Sequence, residues 1–403
     1  MGQPEEVEIE ETPSSPLPVG SSKSQPRAAD STSEQTSSSA RSANDSSLPL
    51  AMILNNYPPP TGVWRYACDL TAALRGKSQL ATFILGGLDY SSVDASVSPL
   101  HGQHWFPQSL STMANFLFPA TFMRSLTRSC ISIRNSGGII HYVCEEIPPW
   151  VGVKGCAVTV QSNPIALLET EGYYSIGIGA KRAIRSNLKR YGRGALAVVL
   201  TDYVRSGLEQ FGFGARIEVI PPAVNPIFHL RRDVQSIRTA LGLPMDRKVL
   251  LSVSTAELRK NLKVLPKVMD CLPPEYLLVR VGPAVRGAHC LANLTDEEMA
   301  MLYSASDALL FPTLDEGYGL PVLEAFASGT PVVSSDIPVI REVAGGKALL
   351  GDPNNPERLA RLCRDAIDSR SELAEGGLMR ARSFSSERLR QNLLKAYALA
   401  LKS

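Results

Sequence analysis

No apolar run in the 403 residues approaches the roughly 18 that a membrane-spanning helix needs, so an integral membrane protein is not expected. The seven cysteines are odd in number, scattered, and never spaced C-x-x-C, which argues against a zinc ribbon or a disulfide framework and suits a reducing compartment. An excess of one charge is missing too. With 41 basic and 39 acidic residues the net charge is +2, too little for a global field that would recruit nucleic acid. Acidic residues stand where a secretory signal needs basic ones, and position 6 is Glu where a myristoylation signal needs Ser or Thr. These absences lead us to expect a cytoplasmic protein.

What is present is the composition of a globular chain, 44% hydrophobic and 20% charged, long enough for two cores. Residues 1–47 are Ser, Thr, Pro and Glu with few large apolar groups, and cannot offset their ordering entropy; a disordered tail is expected there. From residue 48, continuous apolar runs at 50–54, 80–85, 139–143, 157–160, 196–200 and 216–220 alternate with amphipathic stretches such as Gly62–Leu74. Continuous runs are the mark of strands covered on both faces, hence a parallel α/β sheet. After a Pro-rich break at Pro221, Pro222 and Pro226, a second series follows at 248–254, 276–281, 307–311, 331–335 and 347–350. The expected organisation is α/β, with Rossmann-like domains at 48–225 and 226–384 facing a cleft and a terminal segment at 385–403. In open sheets of this kind ligands bind beyond the carboxyl ends of the strands.

The segment after 307–311 carries the most chemistry. Glu316 is followed by Gly317, Tyr318, Gly319, Leu320 and Pro321, and Glu324 lies within the first turns of the helix that Pro321 opens. The free amides and dipole of a helix start make an anion site, and the glycines allow a diphosphate to approach the backbone. A carboxylate accepts two hydroxyl donors and so reads vicinal diols, as in ribose or a hexose. Spacing alone also admits a plainer reading, with Glu324 favouring the helix dipole and Glu316 a solvated loop charge.

The run from Glu316 to Glu324, continued by Ala325-Phe326-Ala327-Ser328-Gly329-Thr330-Pro331, resembles the E-x7-E region of the retaining glycosyltransferases of family 4. Similarity continues through Ser335-Asp336-Ile337-Pro338, residues 341–346 and residues 381–385, and covers most of 245–403. The resemblance implies the GT-B fold, with the nucleotide sugar held mainly by the C-terminal domain and the last helix, from residue 385, crossing back to the first domain. It implies that Glu316 contacts the donor sugar, Glu324 the ribose, and the amides of Tyr318, Gly319 and Leu320 the phosphates. The loop from Thr255 to Leu262 resembles the family's basic loop, placing Arg259 and Lys260 on the diphosphate. Charge fixed there favours the transition state as the leaving group gains negative charge, so no metal ion or other cofactor is expected. Thr255 stands where some members carry a further Arg. Gly282, after the strand 276–281, and the stretch 289–294 would flank the base.

The first half matches more loosely. Gly62 resembles the family's glycine turn below the donor phosphates, with Trp64 and Tyr66 read as core, and Thr201-Asp202 and 220–225 match the interdomain strand and hinge. Where many members have His-Asp facing the donor sugar this chain has Gln161-Ser162; Gln161 can hydrogen-bond a hydroxyl but cannot carry charge. The commonly proposed front-side displacement relies on the leaving diphosphate as base, so turnover does not require that His. His141 and Glu145 are candidates for the acceptor side, Glu145 and Glu146 reading as a loop rim and His141 equally as a structural histidine. His101 and His104 have helical metal-ligand spacing but no third ligand, and no metal site is expected. The basic run Lys181, Arg182, Arg185, Lys189, Arg190 and Arg193 reads as a solvated face or a contact to anionic lipid, and the apolar stretch 105–123 as core or an acceptor groove. The expected activity is transfer of a hexose, mannose ahead of others, from GDP-mannose or a UDP-hexose to a glycan or lipid-linked hydroxyl acceptor. The competing readings are a nucleotide-sugar-binding protein without transfer and an epimerase on the same fold.

Overall fold

The computed structural model describes residues 48–55, 62–74, 78–85, 120–170, 173–174 and 176–402. The expected tail, the His101–His104 pair and most of the stretch 105–123 lie outside them.

Among the described residues twelve strands form two all-parallel sheets. β1 (Leu48–Asn55), β2 (Ser78–Leu85), β3 (Ile139–Tyr142), β4 (Cys156–Val160), β5 (Leu196–Val199) and β6 (Ile217–Val219) lie in the order β2-β1-β3-β4-β5-β6. β7 (Lys248–Val253), β8 (Tyr276–Val281), β9 (His289–Leu291), β10 (Ala308–Phe311), β11 (Val332–Ser335) and β12 (Leu349–Gly351) lie in the order β12-β11-β10-β7-β8-β9. Every residue of β3, β4, β5, β10 and β11 is buried, which is why these segments read as unbroken apolar runs. β9 is the strand that the sequence pattern missed: two exposed residues and one half-buried on a sheet edge, with no run to detect.

The strand orders reverse direction at β1/β3 in the first sheet and β7/β10 in the second. A crevice opens above the carboxyl ends of the strands at such points, because the helices on either side leave to opposite faces. All the main candidates but Gln161, Gly282 and His141, which lies within β3, follow β1, β3, β7 or β10.

The Ser386–Ala400 helix, capped by the Ser385 hydroxyl on Arg388 N, packs on the Gly62–Leu74 helix and on β4 and β5 of the first sheet. There the Tyr397 hydroxyl meets His141 Nδ1 at 2.6 Å, and His141 Nε2 meets Thr159 Oγ1 at 2.8 Å. His141 is fully buried in β3, and burial pushes its imidazole down to about 3. This corrects the acceptor-side expectation: both ring nitrogens are committed to tying the last helix to the first sheet. Among the described residues no helix is long and apolar enough to cross a membrane.

Candidate active site

The loops after β7 and β10 are laced together, and the lacing explains the local backbone. Asn261 adopts the left-handed conformation at φ 53°, which Asn tolerates better than most side chains. Its amide then donates to Pro312 O at 3.1 Å and Pro353 O at 2.9 Å. Arg259 O accepts from Leu314 N at 2.6 Å and lies 3.0 Å from Thr313 Oγ1. The basic pair is thereby fixed beside the turn that carries Glu316.

Glu316 is buried at the centre. Its Oε1 accepts from Lys260 Nζ at 2.6 Å and Thr313 Oγ1 at 3.0 Å, and its Oε2 from Arg259 Nη1 at 2.8 Å. Burial alone would raise the carboxyl, but Lys260 and Arg259 override it and hold the group down to about 2. Burial pulls the Lys260 ammonium below the ordinary lysine range against the opposing attraction of Glu316. The three groups expected from sequence to share the site do so.

After Glu316 the chain passes through Gly317, Tyr318 and Gly319 into the Leu320–Ala327 helix. Gly319 sits at φ 97° as N-cap and Pro321 occupies the first turn. Gly317 lies so close to the first domain that a Cβ there would stand 1.8 Å from Gln161 O. The Tyr318 side chain is buried edge-on against Phe384, leaving only its backbone toward the helix start. Across the cleft Gly62 faces Leu320, whose Cδ1 lies 4.0 Å from where a Gly62 Cβ would be. Gly282, at φ 119°, ends β8 with its Cα against Ser254 O, which a Cβ would strike at 2.1 Å.

Glu324 is placed differently from the expectation of a free ribose reader. Its Oε1 accepts from Arg65 Nη1 at 2.6 Å and its Oε2 from the Tyr303 hydroxyl at 2.7 Å. Arg65 comes from the Gly62–Leu74 helix, three residues after Gly62 and so on the same face; it also reaches Asp296 Oδ1 at 3.2 Å. A cavity of ≈ 70 Å³ opens beside this pair, lined by Trp64, Asp69, Asn225, Asp296 and Leu323 among others. Burial, reinforced by Glu324, pushes Asp69 up to about 7 there.

Gln161 also departs from expectation, for its Nε2 donates to Val143 O at 3.0 Å, inside its own domain. Its backbone N–H donates to Glu145 Oε2 at 3.1 Å. Glu145 is 4% exposed, so it is no rim residue; burial pushes it up to about 7.

Several residues here were not anticipated. Arg280 of β8 is fully buried and grips Ser252 O, Val281 O, Ser254 O and Ser254 Oγ at 2.5–3.0 Å, fixing the end of β7 just before Thr255. Asp315 receives two tyrosine hydroxyls from the first domain, Tyr203 at 2.9 Å and Tyr174 at 2.6 Å. Glu342 caps the Asp202–Gln210 helix across the same boundary through Asp202 N at 2.7 Å. Among the described residues no group of three or more His, Cys, Asp or Glu is arranged to hold a metal ion.

The arrangement presents two cations, a buried carboxylate and a helix start at one crevice. Comparison with known proteins places it. Residues 233–377 match the family described as glycosyl transferases group 1. The O-antigen chain mannosyltransferase B of Escherichia coli is 31% identical over 172 residues, 37% of this chain and 45% of that protein. The chain spans about half the length of the curated relatives it matches. Sucrose-phosphate synthase from Thermosynechococcus elongatus superposes with a TM-score of 0.67 at 17% identity, covering 87% of this chain and 98% of that one. HepE of Anabaena, solved in complex with UDP and glucose, gives 0.67 at 15% identity over 86% of this chain and 99% of that one. The chain therefore has the GT-B fold, and its residues 233–377 match the glycosyl transferases group 1 family.

Proposed function

We propose that this chain is a retaining hexosyltransferase that moves a hexose, mannose first, from a nucleoside-diphosphate sugar to a hydroxyl acceptor. The observation that carries the reading is Glu316, a carboxylate buried between Arg259 and Lys260 beneath a glycine-rich helix start. Arg259 and Lys260, with the amides of Tyr318, Gly319 and Leu320, would meet the diphosphate; Arg can do so in a bidentate manner. Because they are fixed before reaction, they favour the state in which the leaving group carries most charge. That chemistry asks for no metal ion. Glu316 keeps its charge at neutral pH and would accept hydroxyls of the donor hexose. Gly62, Gly282 and Gln161 shape the walls of the pocket. Glu324 would reach the ribose only by exchanging Arg65 for it.

Mannose is favoured by the likeness to a protein named a mannosyltransferase and by the Thr255–Asn261 loop; HepE, solved with UDP and glucose, supports a UDP-hexose as the other donor class. The exposed basic side chains of the Ile178–Tyr191 helix, with Ile178 71% exposed at its start, support a cytoplasmic enzyme resting on an anionic membrane that carries a lipid-linked acceptor.

The test is a thermal-shift screen of GDP- and UDP-hexoses, followed by incubation of the best donor with glycan and lipid-linked acceptors and NMR of the product anomer. A glycoside with the donor's configuration supports the proposal. Stabilisation without product points to a binding protein, and a changed sugar without acceptor to an epimerase.

A further inference from the structure

Asp315 is 4% exposed, and among the described residues no lysine or arginine bonds its side chain. Its two oxygens are satisfied by phenols alone, the hydroxyls of Tyr174 and Tyr203. Both tyrosines belong to the first domain, one between β4 and β5 and the other on the Asp202–Gln210 helix; Asp315 follows β10 of the second. A carboxylate taken from water with no cation bonded to it is costly unless its hydrogen bonds are complete. They are complete only while the two domains are together at this point, where Thr201 Oγ1 also donates to Gly317 O at 3.3 Å.

The other side of Asp315 faces the basic pair. Its backbone oxygen accepts from Arg259 Nη1 at 3.0 Å, and the same Nη1 donates to the next residue, Glu316. The Tyr174 ring lies under the Arg259 guanidinium, 5.1 Å from its centroid. Tyr174 thus holds Asp315 with its hydroxyl and Arg259 with its face.

We propose that Asp315 is a positioning residue that makes the diphosphate-binding geometry of Arg259 conditional on closure of the cleft, with Tyr174 and Tyr203 as the closing contacts. The proposal rests on the donor reading above and adds how the site is assembled. When the domains part, Asp315 loses both phenols and rehydrates, and Arg259 loses its aromatic support and the fixed carbonyl. When they meet, the cations are set before the diphosphate begins to leave, so an open enzyme does not spend donor on water.

The test uses the full chain and calorimetric titration with GDP, UDP, guanosine and uridine. For whichever diphosphate the wild type binds, Y174F/Y203F should weaken affinity about tenfold, about 1.4 kcal/mol, and leave affinity for the corresponding nucleoside unchanged. D315N should cause a similar loss and add nothing in the double-variant background, the mark of one shared device. The single variants Y174F and Y203F, each expected to cost about threefold, carry the test if the double variant does not fold. Diphosphate affinity within about twofold of wild type in all variants overturns the proposal. So does an equal loss for nucleoside and diphosphate, or a D315N loss that simply adds to that of Y174F/Y203F. A wild type that binds neither GDP nor UDP overturns the donor reading instead.

Discussion

Replacing Glu316 by Gln keeps the shape of the side chain and removes its charge, leaving Arg259 and Lys260 buried together without their shared counter-ion. One amide oxygen can still accept from one cation, but the NH2 then faces the other, donor against donor. Breaking a buried ion pair by deleting one partner costs about 3–5 kcal/mol. The depression of Glu316 from 4.5 to about 2 corresponds independently to about 3 kcal/mol. A domain of this size loses about 2–4 °C of Tm per kcal/mol, so Glu316→Gln should melt roughly 6–12 °C lower near neutral pH. The sign with pH follows from a depressed carboxyl: its contribution is present above pH 4.5 and is lost as pH falls toward 2, so the two melting curves should converge in acid. Nucleoside diphosphate should bind the variant at least as tightly as wild type, since phosphate replaces the missing charge. Ligand at a hundred times its Kd would then restore about 2.7 kcal/mol. Transfer should nevertheless fall at least about a hundredfold. Wild-type Tm and wild-type transfer in this variant would refute the assignment of Glu316 as the hub of the site.

Three further outcomes can be measured. Because the Glu145 carboxyl is raised to about 7, its burial costs nothing below pH 4.5 and up to about 3 kcal/mol above pH 7. Glu145→Gln should therefore be more stable than wild type at pH 8 and flatter in Tm between pH 5 and 8; parallel curves would show that the group is not titrating there. His141→Phe leaves the Tyr397 and Thr159 hydroxyls short of a partner and should cost about 2–4 kcal/mol with KM for acceptor unchanged, whereas a raised acceptor KM would return His141 to the acceptor site. Gly317→Ala puts a methyl 1.8 Å from Gln161 O and must push the domains apart. Transfer should drop about a hundredfold, and diphosphate affinity, read by calorimetry, should fall with the loss of closure; unimpaired transfer would mean the contact at Gln161 is not needed for turnover.

Local patterns made much of this architecture readable. Ala308–Phe311 is apolar because both its faces are covered, and Gly319-Leu320-Pro321 announces a helix start by backbone rules alone. Glu316, Arg259 and Lys260 were found because each lies in a loop after a strand and within a motif that resembles family 4. What escaped was pairing at long range. Arg65 and Glu324 are 259 residues apart, and Tyr174 and Asp315 are 141 apart, distances over which spacing says nothing about contact. A signal for Arg65 did exist: it shares a helix face with Gly62, and Glu324 shares one with Leu320, so the Gly62–Leu320 approach implies the ion pair one turn further on. His141 shows the opposite error, a polar residue near a strand end whose partner, Tyr397, arrives from the far end of the chain.

That late arrival has a consequence for synthesis. β6 ends at Val219, yet the helix that covers this sheet and satisfies His141 extends to Ala400, about 180 residues later. At about 5–20 residues per second a ribosome needs roughly 10–40 s to deliver it. For that interval the emerging first half must wait with an apolar flank uncovered and His141 Nδ1 without its Tyr397 partner. Nascent chains stalled before residue 386 should accordingly be protease-sensitive across the first sheet, however well the second has formed.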